Sequence, residues 1–380
     1  MRDPLSNTIK SIKPSGIRKF FDIVNTMEDA ISLGVGEPDF ETPYFIRDAG
    51  IYSLEKGRTF YTSNSGLMEL REEIRNYLIR KLGVEYDPKS EMIITVGDIA
   101  LRAMLDGGDE VLIPQPSYVS YEPCTILAGG KPVIIELKAE DGFKLKASQI
   151  LEKVTDKTKI LILPFPNNPT GSILNMDELR EIAKVCIEKD LYVISDEIYC
   201  ELTYEGEHAS IVQIEGMKER TVLINGFSKS YAMTGWRLGY ATGPKEIISQ
   251  MTKIHQYAIM CAPTTSQYAA VEALAHGDAD VARMRESYNQ RRRYLLHRFE
   301  ELGMTCFEPQ GAFYVFPSIK RFGMSSEEFA TRLLEEQKIA IVPGTAFGEC
   351  GEGYVRVSYA YSMERLKEAL SRIEKFVRSL

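Results

Sequence analysis

The sequence has little of what several common classes of protein require. It contains only four histidines among 380 residues, and they are scattered without the spacing of metal ligands. Its six cysteines include no CxxC or other close pair, which argues against a zinc site and against a disulfide framework. No apolar run approaches the roughly 18 residues of a membrane span. We therefore expect no metal centre and no membrane partner.

Basic residues are not in excess either. Lys and Arg number 46 against 54 Asp and Glu, so the formal net charge is −8, and both signs are spread along the chain. Binding to nucleic acid usually needs a concentrated basic surface, so we expect no nucleic-acid partner. The opening residues, MRDPLS, lack the apolar stretch of a signal peptide. Together with the unpaired cysteines, this predicts a cytoplasmic protein with free thiols.

Short apolar runs flanked by turn residues alternate with helical patterns, which is typical of an α/β fold with a mostly parallel, buried sheet. The runs predicted as the seven strands of this sheet are residues 92–96, 110–114, 132–135, 160–164, 192–195, 221–225 and 239–242. Between them, residues 177–189 place their apolar side chains on one stripe, as expected for a helix that covers a sheet.

The pattern changes near residue 278. A long, charge-rich helix is predicted over 280–302, strands over 312–316 and 354–358, and a terminal helix over 362–378. We therefore expect a large α/β domain over residues 41–277 and a smaller α+β domain over 278–380. Residues 1–40 are interpreted as an N-terminal arm and part of the small domain.

The common nucleotide and hydrolase motifs are absent: GxxxxGK[ST], GxGxxG, HExxH and GxSxG do not occur. Polar segments instead follow the predicted strands, at the edge where open parallel sheets bind ligands. These segments are 114–121 (PQPSYVSY), 164–171 (PFPNNPTG), 195–199 (SDEIY), 225–239 (NGFSKSYAMTGWRLG) and 355–358 (VRVS). Each has an ordinary explanation when taken alone, since Lys229 could be a solvated turn residue and Asp196 a helix cap.

In combination, seven segments resemble the pyridoxal-phosphate (PLP) aminotransferases of fold type I, class I/II, the group that includes the bacterial and archaeal aspartate aminotransferases. They occur in the order of the family and are spread over almost the whole chain: 34–40 (GVGEPDF), 60–66 (FYTSNSG), 69–74 (ELREEI), 167–171 (NNPTG), 195–199 (SDEIY), 226–239 (GFSKSYAMTGWRLG) and 354–360 (YVRVSYA). The resemblance implies transfer of an amino group from an L-amino acid to 2-oxoglutarate. Aspartate is the favoured donor, followed by alanine or aromatic amino acids.

The resemblance also implies catalytic roles. Lys229 would form the internal aldimine with PLP and then act as a base at the substrate Cα. Asp196 would face the pyridine nitrogen and keep it protonated, so that the ring can accept electrons. Tyr199 and Asn168 would hydrogen-bond the phenolic oxygen of the cofactor.

Further cofactor contacts are implied by the same resemblance. Arg237 would clamp the phosphate, because a guanidinium matches its oxygens in a planar fork, and Ser228 would add a hydroxyl. Tyr118 would stack on the cofactor ring, where many relatives have Trp. Tyr61 would reach the phosphate of the neighbouring subunit's cofactor, which implies a homodimer with shared active sites.

A substrate site is implied as well. Arg356 would hold the α-carboxylate of the amino acid, and the backbone amide of Gly36 and the side chain of Asn168 would assist. The partners would thus be amino-acid and 2-oxoacid substrates. A PLP-dependent lyase or synthase of the same fold is the alternative chemistry, because fold alone does not fix the reaction.

The chain departs from the family at one place. Between Gly97 and Asp98 it is about five residues shorter, where the family forms a turn that cradles the phosphate at a helix N-terminus. Three explanations stay open. The sequence omits a mobile stretch, which we favour because the flanking residues match on both sides; or the deletion is real and weakens cofactor binding; or the fold is degenerate and serves only as a binding module.

Overall fold

The structure is a computed structural model that describes residues 3–14, 16, 27, 29–95 and 99–380. The strands are β1 (Ile31–Ser32), β2 (Met92–Thr95), β3 (Glu110–Gln115), β4 (Lys131–Glu136), β5 (Thr158–Leu163), β6 (Tyr192–Asp196), β7 (Thr221–Gly226), β8 (Gly239–Thr242), β9 (Tyr314–Val315), β10 (Ile339–Ala340), β11 (Val342–Pro343) and β12 (Val355–Ser358). The helices are α1 (Asn7–Ser11), α2 (Tyr44–Glu55), α3 (Met68–Leu82), α4 (Ile99–Met104), α5 (Tyr121–Leu127), α6 (Ala147–Lys153), α7 (Met176–Glu188), α8 (Lys245–Ala258), α9 (Thr264–His276), α10 (Asp278–Glu301), α11 (Ser326–Gln337) and α12 (Met363–Ser379).

A seven-stranded sheet forms the centre of the molecule, in the order β2-β8-β7-β6-β5-β3-β4. Neighbouring strands from β7 to β4 run parallel, and β8 is antiparallel to both β7 and β2. The predicted α/β fold with a mostly parallel seven-stranded sheet is therefore confirmed. The predicted strands agree with the observed ones to within two residues at either end, because each is an apolar run bounded by turn residues.

Helices cover this sheet and bury its central strands on both faces. Val111, Leu112 and Ile113 of β3 are all buried, which explains why the strand reads as a continuous apolar run. Helix α7 begins after Asn175, whose side chain accepts hydrogen bonds from the first helical amides. Its buried stripe packs against the sheet as the sequence predicts, with the helix starting and ending one residue earlier than expected.

A second layer of structure contains a three-stranded antiparallel sheet, β11-β12-β9, and the parallel pair β1-β10. Ile31 pairs with Ile339, so this layer contains segments from the N-terminal and the C-terminal parts of the chain. The strand predicted over 312–316 is shorter than expected, because Ala312 adopts a left-handed backbone (φ 59°) that an extended strand cannot contain. The domain boundaries near residues 40 and 277 stay predictions.

The described residues also bear on two chemical expectations. All six cysteines lie in the described residues, and no two of them form a disulfide bond. Within the same residues, no helix combines the length and the apolar character needed to cross a bilayer.

Candidate active site

The carboxyl ends of three neighbouring parallel strands carry the central residues of the site. Asp196 is the last residue of β6, Lys229 follows the end of β7, and Asn168 follows β5. Because carboxyl ends of parallel strands meet at one edge of a sheet, these three segments converge at that edge. The structure thus brings three of the predicted site residues together in one cleft.

Lys229 points its amine across this cleft. Its Nζ donates a hydrogen bond to the carbonyl oxygen of Gly36 at 2.5 Å and lies 6.0 Å from the ring centre of Tyr199. Burial lowers the pKa of Lys229 to about 8, and the positive charge of Arg356 acts in the same direction. An amine with this pKa is neutral in a substantial fraction of molecules near pH 7 to 8, so it can act as a nucleophile or a base.

Asp196 is held by two donors. The hydroxyl of Tyr121 donates to Oδ2 at 2.8 Å, and the amide of Ile198 donates to Oδ1 at 3.2 Å. Burial raises the pKa of Asp196, whereas these two hydrogen bonds lower it. Sequence analysis assigned no role to Tyr121, although it falls within the polar segment 114–121. The structure shows that it orients the carboxylate.

Arg356 lies in the middle of β12 and is 2% exposed. Its Nη1 donates to Asn168 Oδ1 at 2.8 Å, and its Nη2 donates to the Gly34 carbonyl at 2.5 Å. Its guanidinium carbon lies 4.3 Å from the ring centre of Tyr314 and 4.7 Å from that of Phe347. The Nε atom is buried and has no hydrogen-bond partner in the described residues. A buried cation with a free donor fits an incoming anion such as a carboxylate.

Tyr314 connects the parts of the site, and sequence analysis assigned it no role. Its hydroxyl lies 2.8 Å from the hydroxyl of Tyr199, and its ring packs on Arg356. A Cβ atom at Gly36 would lie 2.3 Å from this hydroxyl, so the chain needs glycine there. The motif GAFYVF over 311–316 is the available signal, but it indicates a buried strand rather than a role in a site.

Arg237 and Ser228 lie beside the cleft. Arg237 has a left-handed backbone (φ 53°) and is exposed, and its Nη1 donates to the Thr234 carbonyl at 2.9 Å. It is close enough to Lys229 for its charge to lower the pKa of that amine, after burial and Arg356. Ser228 is partly buried and directly precedes Lys229. Both positions are compatible with a phosphate near the end of β7.

The two remaining aromatic residues differ in position. Tyr118 is 45% exposed and makes an edge-to-face contact with Tyr121, with ring centres 5.7 Å apart, so it lies at the mouth of the cleft. Tyr61 is 78% exposed on the single chain. The Gly97–Asp98 junction, where the sequence is shorter than the family, lies outside the described residues.

A family model described as aminotransferase class I and II matches residues 28–373. The chain belongs to this family. This aminotransferase is 47% identical to the aspartate aminotransferase of Pyrococcus abyssi, with 98% of each chain covered. It is 44% identical to aromatic-amino-acid aminotransferase 2 of Thermococcus litoralis, again over 98% of each chain. The solved structure of Thermus thermophilus aspartate aminotransferase with maleate superposes with a TM-score of 0.94, at 38% identity over 100% of both chains.

These comparisons confirm the family and the fold type inferred from the sequence motifs, and they support aminotransferase activity. The names of the relatives include both aspartate and aromatic aminotransferases. The identity of the amino donor is therefore a separate question.

Proposed function

We propose that this aminotransferase moves the amino group of an L-amino acid to 2-oxoglutarate, with pyridoxal phosphate bound at Lys229. Aspartate is the favoured donor, followed by alanine and aromatic amino acids. One observation carries the proposal: the buried guanidinium of Arg356 and the carboxylate of Asp196 both lie close enough to the amine of Lys229 for their charges to shift its pKa.

The residues present fit the cofactor. The amine of Lys229 would bind the aldehyde, and the carboxylate of Asp196 would face the ring nitrogen. The hydroxyl of Tyr199 and the amide of Asn168 would hydrogen-bond the phenolic oxygen. The planar guanidinium of Arg237 would bind the phosphate. When bound, the cofactor supplies a conjugated, protonated ring that accepts electrons from the substrate Cα–H bond. Asp196 serves this chemistry by stabilising a positive charge on the ring nitrogen.

Substrate binding and proton movement follow from two side chains. Arg356 offers its unpartnered Nε and its adjacent N–H groups to the α-carboxylate, while Asn168 fixes the guanidinium plane through Nη1. An amino acid held in this way would have its Cα–H bond within reach of the Lys229 amine. With a pKa of about 8, that amine can accept a proton at Cα and return it at a neighbouring atom near neutral pH.

Support for aspartate comes from the relatives. Two kinds of observation agree: aspartate aminotransferases are among the similar proteins, and the Thermus thermophilus structure contains maleate, a dicarboxylate. The aromatic aminotransferase of Thermococcus litoralis supports the second choice of donor. The chain is shorter than the family between Gly97 and Asp98, where the family has a stretch near the phosphate, so the choice of donor is argued from these relatives.

We also propose a homodimer with shared active sites. Three aromatic side chains, Phe60, Tyr61 and Tyr257, are at least 78% exposed. The two segments that carry them are adjacent, because Asn64 Nδ2 donates to the Met260 carbonyl at 3.1 Å. Clustered exposed aromatics are typical of a surface that a partner covers. A second copy would bury Tyr61, as the family resemblance requires.

The function is tested by loading the protein with pyridoxal phosphate and measuring glutamate formation from 2-oxoglutarate with aspartate, alanine and phenylalanine in turn. We expect aspartate to give the highest kcat/KM. Borohydride reduction followed by peptide mass mapping should find the pyridoxyl group on Lys229. Modification at Lys229 without glutamate from any donor would favour the lyase or binding-module alternative. No modification at Lys229 would contradict the cofactor assignment itself.

The lowered pKa of Lys229 gives a pH prediction. Because its pKa is about 8 instead of 10.5, its neutral and reactive form should accumulate as the pH rises through 8. Competitive labelling of the cofactor-free protein with an amine reagent, read by mass spectrometry, should give a midpoint near pH 8 for Lys229. Ordinary exposed lysines titrate near pH 10.4 and serve as internal controls. A midpoint for Lys229 that coincides with theirs would contradict the proposed environment.

The contact between Tyr314 and Tyr199 gives a second prediction. Tyr314→Phe removes the hydroxyl that lies 2.8 Å from Tyr199 but keeps the ring on Arg356. We expect kcat to fall about three- to tenfold, because one hydrogen bond in the site is lost, with the KM for the amino acid within about twofold. Steady-state kinetics test this. A large rise in KM with unchanged kcat would show that Tyr314 acts on Arg356 instead.

A further inference from the structure

A buried carboxylate, that of Glu197, directly follows Asp196 in the sequence. Glu197 is 2% exposed, and its Oε1 accepts hydrogen bonds from the hydroxyls of Ser195 at 2.8 Å and Ser210 at 2.6 Å. Its Oε2 lies 2.6 Å from Nε2 of His208. The site described above uses none of these four side chains, so a buried and fully hydrogen-bonded carboxylate is left without a stated role.

The strand geometry separates Glu197 from the cleft. Asp196 pairs with Ile224 of β7, and the amide of Glu197 continues the pairing by donating to the Ile224 carbonyl at 2.9 Å. Successive residues of a strand point to opposite faces, so Ser195 and Glu197 share the face opposite Asp196. Glu197 therefore cannot contact a ligand in the cleft, but its charge lies only one residue away from the catalytic carboxylate.

The partners of Glu197 also differ from those of other buried glutamates. Glu201 has Lys81 at 3.1 Å, and Glu110 has Lys131 at 2.9 Å, so a lysine balances each of these carboxylates. In the described residues, Glu197 has two hydroxyls and an imidazole instead. Two of its three partners therefore stabilise the carboxylate through hydrogen bonds without adding a positive charge.

We propose that Glu197 is a positioning residue that strengthens the hold of Asp196 on a protonated ring nitrogen. Ser195, Ser210 and His208 keep the carboxylate buried and fixed, so its negative charge acts on Asp196 through the strand. This inference rests on the proposed function, because it needs pyridoxal phosphate in the cleft.

The electrostatics agree with this geometry. Burial is the main cause that raises the pKa of Asp196, and the charge of Glu197 raises it further. A second negative charge near Asp196 increases the proton affinity of the region that faces the ring nitrogen. Removal of the charge at Glu197 should therefore weaken binding of a cofactor that carries a proton there, and only of such a cofactor.

The test compares two ligands of the cofactor-free protein: pyridoxal phosphate and its analogue in which carbon replaces the ring nitrogen. Wild-type protein should bind pyridoxal phosphate more tightly than the analogue. Glu197→Gln keeps the shape of the side chain and most of its hydrogen bonds but removes the charge. We therefore expect a fall of about three- to tenfold in the ratio of the two dissociation constants, that of the analogue divided by that of pyridoxal phosphate. A merely structural role would weaken both ligands equally and leave the ratio unchanged, which would overturn the proposal.

Matched variants make the result specific. Glu197→Asp keeps the charge and should keep the ratio, even if thermal stability falls. Glu110→Gln removes a buried glutamate at the other end of the sheet and should also keep it. Were Glu197→Gln to fail to fold, His208→Gln provides a second test: the charge of Glu197 stays, so the ratio should be kept or raised, and a fall would contradict the proposal.

The inference and the proposed function fail in different ways. Wild-type protein that binds neither ligand and shows no pyridoxyl group on Lys229 would contradict the proposed function. Wild-type protein that is modified at Lys229 but gives equal ratios in wild type and Glu197→Gln would contradict only the role of Glu197.

Discussion

Replacement of Lys229 by alanine is expected to reduce the rate of amino transfer at least about 10⁴-fold, because the variant loses the residue proposed as both the nucleophile and the base of the site. The amine of Lys229 is the group that faces the Gly36 carbonyl and approaches the Tyr199 ring. The cofactor should still bind, more weakly, because Asp196 and Arg237 stay in place. Single-turnover absorption measurements with aspartate would give the rate directly.

An exposed lysine gives the control for this experiment. Lys375 lies on α12, away from the cleft, and Lys375→Ala should leave the rate within about twofold. Addition of a small primary amine to Lys229→Ala should restore part of the rate, because it can move the proton in place of the side chain. A loss of less than tenfold in Lys229→Ala would mean that another group is the base.

Replacement of Arg356 by lysine is expected to raise the KM for amino-acid donors about 10- to 100-fold. Lysine keeps the positive charge but loses the planar fork that matches a carboxylate, and hydrogen bonds to charged groups contribute about 1.5–3 kcal/mol. The same change removes the hydrogen bonds to Asn168 and to the Gly34 carbonyl, so the remaining side chains of the site become less well fixed. Steady-state kinetics with aspartate and alanine test the prediction.

Two comparisons separate carboxylate binding from general damage. Arg291 is another buried arginine, with Nη1 at 2.7 Å from Asp39, and Arg291→Lys should change stability without this rise in KM. Ethylamine lacks the carboxylate of alanine, so Arg356→Lys should lower the preference of the enzyme for alanine over ethylamine. An unchanged preference would remove Arg356 from the carboxylate site.

The parts of the site that the sequence predicts share one property: their signals are local. Lys229, Asp196 and Asn168 each follow an apolar run that ends in turn residues, so their position at the strand ends follows from neighbouring residues alone. The order of the seven motifs along the chain then indicated the family, and the resemblance to that family implied the chemistry. The same local reasoning explains why the strands of the large sheet were predicted to within two residues.

Tyr121 and Tyr314 escaped prediction because their contacts are distant in sequence. Tyr121 meets Asp196 75 residues away, and Tyr314 meets Tyr199 115 residues away. Neither contact has a local pattern. Tyr121 lies in a polar segment whose residues do not indicate a partner, and a tyrosine in an apolar run such as GAFYVF usually indicates only a core position. The short strand at Tyr314–Val315 has a similar origin, because the left-handed backbone of Ala312 depends on tertiary packing rather than on residue type.

The pairing of β1 with β10 has a consequence for how the enzyme is made. Ile31 of β1 pairs with Ile339 of β10. Shortly after β1, the Gly34 carbonyl accepts a hydrogen bond from Arg356, and the Gly36 carbonyl accepts one from Lys229. During synthesis, the Lys229 amine and the Asp196 carboxylate leave the ribosome well before Arg356 does. A nascent chain can therefore bring together the residues proposed to hold the cofactor before the proposed binding site for the substrate carboxylate, which needs the last strand, is complete.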